Sequence, residues 1–195
     1  MDKITRNEIK EIPITPYLHV FDTLQTGDLL FASGNYSISR AIQVSSKSPW
    51  SHIGIVYKDE NINRRLILES VEDDGVRLVA LSKYLVDYEK DLAYKGFLVL
   101  ARMQNILTQE QKKEIISTGF SLLSSKYDYI EIMKIVYRIL FNKKGNEYNE
   151  KFICSELVET CFKRANINFL YDELGFITPE HIWEDPRLRL VARIL

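Results

Sequence analysis

Four segments rich in valine, isoleucine and leucine follow one another through the first half of the chain: His52 to Tyr57, Arg65 to Ser70, Gly75 to Leu81 and Phe97 to Met103. Such runs fit a pleated, half-buried surface. Only Asp59-Glu60-Asn61 and Asp73-Asp74-Gly75, with turn chemistry, separate the first three. Connections this short cannot carry a crossover, so these neighbours are expected to run antiparallel. GDLLFAS (Gly27 to Ser33), entered through a Gly-Asp turn, reads as an earlier strand, and LRLVARIL closes the chain as a last one.

The remaining elements read as helices. Ile38, Ala41 and Ile42 have helical spacing within Ser37 to Val44. Thr108 and Gln111 form a capping box ahead of Ile115, Ile116, Phe120, Leu122 and Leu123. A second long helix is expected over Tyr129 to Asn142, ending near Lys143, Lys144 and Gly145. A third runs from about Cys154 to Ala165, and Thr178-Pro179-Glu180 opens a short one. Strands first, helices next and one strand last describe an α+β protein, a mainly antiparallel sheet packed against helices. A length of 195 residues suits a single domain over 1–195. Its first 24 residues, with Pro13 and Pro16, read as an arm lying over the body.

Composition excludes several function classes. A net charge of −1 with scattered cations offers no attraction for nucleic acid. The N-terminal stretch lacks the uninterrupted apolar core of a secretory signal. The greasiest run, Ile130 to Phe141, is interrupted by Glu131, Lys134 and Arg138 and is too short to span a bilayer. The expectation is a cytoplasmic protein with no stable membrane insertion.

Both cysteines fall in KFICSELVETC, at Cys154 and Cys161. On one helix they would sit about 10 Å apart along the axis, at ~1.5 Å per residue, too far for a disulfide. The histidines His19, His52 and His181 have no zinc-ligand spacing to either cysteine. Cys161, among Leu157, Val158, Phe162 and Ala165, fits a packed core thiol. Cys154 sits in the first helical turn, where free N–H groups and the helix dipole favour a thiolate and can hold an oxyanion. Packed thiols and a nucleophile with a bystander both stay open on these grounds.

A cysteine nucleophile needs a base, and that base an orienting group. His52 begins a strand and shares one face with Gly54 and Val56. Gly54 leaves room beside the imidazole. Glu69 ends the following strand, and antiparallel pairing brings that end to the start of the first. An idle histidine and a solvated glutamate at strand ends are the plainer alternatives.

The strings GDLLF, SRAIQ with SPWSHIGIV, ILES with GV, KYDY, FICSELV and TPEHI, taken together, resemble the circularly permuted papain-like amidases. These are the permuted (YiiX-like) branch of the NlpC-type cysteine peptidases. The resemblance covers roughly Gly27 to Leu195. It implies a permuted papain-like fold in which the histidine strand precedes the cysteine helix. It also implies Cys154 as nucleophile, His52 as base and Glu69 as third polar member. Tyr127, with Asp128, matches the family's Tyr-Asp pair and would line the site. Ser51 and Ser155, beside the base and the nucleophile, complete the expected substrate-binding set. The implied activity is thiol-dependent hydrolysis of an amide or peptide bond in a small substrate such as a cell-wall-type peptide, without metal or organic cofactor. Lipid acyl transfer or thioester hydrolysis of the lecithin:retinol acyltransferase type, with Ile130 to Phe141 as an apolar wall, is the rival chemistry. A non-catalytic binding module on the same fold is the second rival.

Overall fold

The computed structural model describes residues 1–71, 74–125, 154–170 and 177–195. Tyr127, Asp128 and the expected helix Tyr129 to Asn142 lie outside the described residues.

Six strands form one sheet: β1 (Leu29–Gly34), β2 (His52–Asp59), β3 (Arg64–Val71), β4 (Gly75–Ala80), β5 (Gly96–Met103) and β6 (Leu188–Arg193). Their order is β4-β3-β2-β1-β5-β6, and every pairing is antiparallel. The described helices are α1 (Arg6–Glu11), α2 (Tyr17–Phe21), α3 (Ser37–Ser46), α4 (Leu81–Val86), α5 (Gln109–Ser121), α6 (Cys154–Arg164) and α7 (Pro179–Trp183). The α+β class and the antiparallel sheet read from the sequence are the ones found.

Alternation along each strand divides the core in two. On one face Leu29, Phe31, Ile53, Ile55 and Leu68 pack with Ile115 of α5 and with Leu157, Val158 and Cys161 of α6. On the other, Leu30, Ala32, Val56 and Ile67 pack with Leu81 and Tyr84 of α4 and with Tyr94. Capping boxes at Thr5/Glu8, Thr108/Gln111 and Thr178/His181 start α1, α5 and α7.

Two local expectations change. The strand expected to reach Leu81 stops at Ala80, and Leu81 opens α4. Leu81 and Tyr84 are both buried three residues apart, a helical period that turns both onto the sheet. The arm, in turn, contributes to the core. Ile9 is fully buried, and Arg193 donates to the carbonyls of Lys10 (2.7 Å) and Ile12 (3.1 Å). Thr15 N–H donates to Arg193 O at 2.7 Å, so the arm is stitched to the last strand.

Candidate active site

The site lies where β2 begins. His52 is the first residue of that strand and pairs across to Ala32 of β1. Being at the sheet margin, its ring meets groups from both halves of the core. Glu69 comes from β3, and Cys154 from the start of α6, which packs on the opposite face.

His52 Nε2 is 2.8 Å from Glu69 Oε2, with the His52 side chain 17% exposed and that of Glu69 wholly buried. The imidazole also interacts with the Cys154 thiol, which favours its charged form. Burial by itself would pull the His52 pKa down. The hydrogen bonds and charges of Cys154 and Glu69 outweigh it and push the value up from 6.5 to about 10. Glu69 shows the same balance in reverse: burial raises its pKa, while His52, Arg77 and Tyr84 together hold it below 4.5. The resting pair is therefore biased toward an imidazolium facing a carboxylate.

Gly54 makes this approach possible. A Cβ there would lie 2.6 Å from Ile67 Cγ2, 3.2 Å from the Leu68 carbonyl oxygen and 3.4 Å from Glu69 Cβ. Bare backbone at this point lets β3 carry Glu69 in beside the histidine.

The two cysteines are set apart by their surroundings. Cys154 is 7% exposed at the head of α6, whose first N–H groups lack intrahelical partners. Cys161 is fully buried among apolar side chains, and burial pushes its thiol up to about 12. It is the packed thiol.

Two residues around Glu69 went unread in the sequence. Arg77 lies directly opposite Glu69 in the β3–β4 register, donates from Nε to Oε1 at 2.9 Å, and brings Nη2 into ion-pair contact with the same oxygen at 2.9 Å. Tyr84 donates its hydroxyl to Oε2, the oxygen that also holds His52. Burial and the Glu69 charge keep the Tyr84 phenol protonated, so it can only donate. Counting back through the Asp73-Asp74-Gly75 turn would have found Arg77. Tyr84 required knowing that α4 begins at Leu81.

The expected substrate-binding serines are committed elsewhere. Ser51 Oγ donates to Ala32 O at 3.2 Å and accepts from Gly34 N–H at 3.0 Å, which fastens β1 to the head of β2. Ser155 Oγ donates to Ile177 O at 2.8 Å, anchoring α6 to the segment before α7. Both residues are buried. The SPW and TPE strings are joined likewise: Ser48 donates to Glu180 Oε2 at 2.6 Å, and the Trp50 and Trp183 rings lie 4.6 Å apart.

The sequence model of the family described as "Permuted papain-like amidase enzyme, YaeF/YiiX, C92 family" matches residues 23–192. The chain belongs to this family. Its curated relatives include the uncharacterized protein YiiX of Escherichia coli K12, 23% identical over 183 residues, 87% of this chain and 86% of YiiX. A local match of 70 residues at 33% identity links 36% of this chain to 43% of a Protein Smg homolog from Vibrio parahaemolyticus. Among solved structures, the metalloprotein yiiX from Escherichia coli O157:H7 superposes with a TM-score of 0.63. That likeness covers 87% of this chain and 97% of the other at 21% identity, and it bears on the fold alone. The family match thus takes in β1 through β5, β6 as far as Ala192, and all three residues Cys154, His52 and Glu69, and leaves the arm through α2 outside.

Proposed function

We propose that the protein is a cysteine-dependent hydrolase that cleaves an amide or peptide bond through a thioacyl-enzyme. The observation that carries this reading is His52, hydrogen-bonded to the buried carboxylate of Glu69 and interacting with the thiol of Cys154. A nucleophile beside a base that an orienting group holds is what acyl transfer requires, and membership of a papain-like amidase family agrees with it.

In this reading the thiolate of Cys154 attacks the substrate carbonyl carbon, and a C–S bond forms as the C=O becomes an oxyanion. The backbone N–H of Cys154, at the head of α6, donates to that oxygen. Imidazolium His52 gives its proton to the departing amine nitrogen, the C–N bond breaks, and a thioester remains. A water then attacks the thioester while neutral His52 takes its proton. Collapse releases the carboxylic acid and restores the thiolate–imidazolium pair. Glu69 keeps the ring in the productive orientation and stabilises its charged form. Family membership supports an amide or peptide bond as the one cleaved, and a small cell-wall-type peptide is the substrate class of this reading.

The metal in the description of the Escherichia coli O157:H7 structure is that protein's own. Among the described residues of this chain, no three His, Cys, Asp or Glu side chains converge as a metal-binding group.

Brief iodoacetamide treatment of the folded protein at neutral pH is expected to alkylate Cys154 and leave Cys161 unmodified, as read by peptide mass spectrometry. Cys154→Ala should abolish both labelling and hydrolysis of a cell-wall-type peptide. Labelling at Cys161 first, or hydrolysis that survives Cys154→Ala, would overturn the assignment.

A further inference from the structure

Two arginines meet at the end of the sheet that holds His52. Arg6, from α1, donates through Nη1 to Ser33 Oγ at 2.8 Å and through Nη2 to Asn35 Oδ1. Its guanidinium lies 5.0 Å from the Phe97 ring centroid. Arg40, from α3, donates through Nη2 to the same Asn35 oxygen at 2.9 Å. All these acceptors are neutral, and among the described residues neither guanidinium has an ion-pair partner. Two like charges sharing one amide oxygen repel each other. Burial first, and then the Arg40 charge, lower the pKa of Arg6. An anion placed between them would relieve that repulsion and meet two planar donor forks.

The position relates this pair to the chemistry. Arg6 also reaches Gly34 O at 3.5 Å, and Gly34 N–H donates to Ser51, the residue before His52. Gly34 is two residues beyond Ala32, the cross-strand partner of His52. That is roughly 7 Å along one strand and about 5 Å across to the next. Ser33 and Phe97, which Arg6 touches, face each other across β1 and β5. Phe97 packs against the core half that includes Cys154.

We infer that Arg6 and Arg40 form a recognition site for a carboxylate of the substrate, held by the arm and α3 on the order of 10 Å from the reacting bond. This rests on the reading of Cys154 as nucleophile and deepens it: the preferred amide carries a free carboxylate one or two residues from the scissile bond. Arg6 lies outside the 23–192 family match, so the arm brings a specificity element of its own.

The test compares bromoacetyl-glycylglycine with its C-terminal carboxamide, two alkylating agents that differ only in charge at the far end. Loss of free Cys154 is followed by mass spectrometry. The wild-type protein is expected to react with the carboxylate roughly tenfold faster than with the amide, about the worth of one charge-assisted hydrogen bond at a partly exposed site. Arg40→Gln should bring the ratio toward one, and so should Arg6→Gln. Arg64→Gln, the same charge change at the far end of β3, should keep the wild-type ratio. Equal rates for both probes in wild type, or a ratio lowered as much by Arg64→Gln, would overturn the site while leaving the nucleophile intact. Protection from the anionic probe by millimolar inorganic phosphate as strong as that by acetylglycylglycine would overturn the carboxylate assignment. Failure of Cys154 to react with the neutral probe would overturn the hydrolase reading instead.

Discussion

Glu69 is the residue on which the site turns. Its carboxylate is wholly buried and takes one hydrogen bond each from Arg77, Tyr84 and His52, with a further ion-pair contact from Arg77 Nη2. A buried charge persists only when so compensated. Glu69→Ala would leave Arg77 and the Tyr84 hydroxyl facing a void, a loss of about 3–5 kcal/mol. Glu69→Gln keeps an oxygen for the imidazole N–H and should retain more turnover than Glu69→Ala. Tyr84→Phe removes a single donor while Arg77 still holds the carboxylate. It should lower turnover roughly fivefold, equivalent to about 1 kcal/mol. It should also raise the acid limb of the pH–rate profile, since the Tyr84 bond helps hold the Glu69 pKa down. A Tyr84→Phe profile that overlays wild type would mean the phenol is only packing.

At the scale of elements, the β2–β3 pairing brings His52 and Glu69 together, and Gly54 sets how closely those strands can carry them. An added methyl would press on Ile67 Cγ2 and on a backbone carbonyl that cannot rotate away. Overpacking of this kind costs about 1–3 kcal/mol. Gly54→Ala should therefore lower the melting temperature, on the order of 5 °C for a chain of this length. It should slow Cys154 alkylation as well, because Glu69 and His52 are displaced together. Unchanged melting and labelling would show that the close approach at Gly54 is not needed. Helix α6 does a comparable job for the thiols. It directs Cys161 into the core and sets Cys154 at its head, so one element gives the two thiols different surroundings.

For the whole molecule, the His52–Glu69 pair links stability to pH through two opposite shifts. Folding raises the His52 pKa, so its contribution is complete below the ordinary 6.5 and is lost as pH rises through about 10. Folding lowers the Glu69 pKa, so its contribution is complete above the ordinary 4.5 and is lost as pH falls through its lower native value. Chemical denaturation across pH should give greatest stability between 4.5 and 6.5, with a decline toward alkaline pH that Glu69→Gln flattens. A wild-type optimum above pH 8 would contradict this. The sequence by itself determined the antiparallel sheet, the start of α5 at Thr108, the apolar setting of Cys161, and the placing of His52 and Glu69 at one end of neighbouring strands. Each rests on local periodicity, capping or a short turn, and those act over a few residues. Only the tertiary structure decided that Arg77 and Tyr84 clamp Glu69, that Ser51 and Ser155 are fasteners, and that Ile9 belongs to the core. It alone set Arg6 beside Arg40, 34 positions apart in the chain. Such contacts form when sheet order and helix docking bring distant segments together, and no periodicity in the chain encodes which side chains then meet.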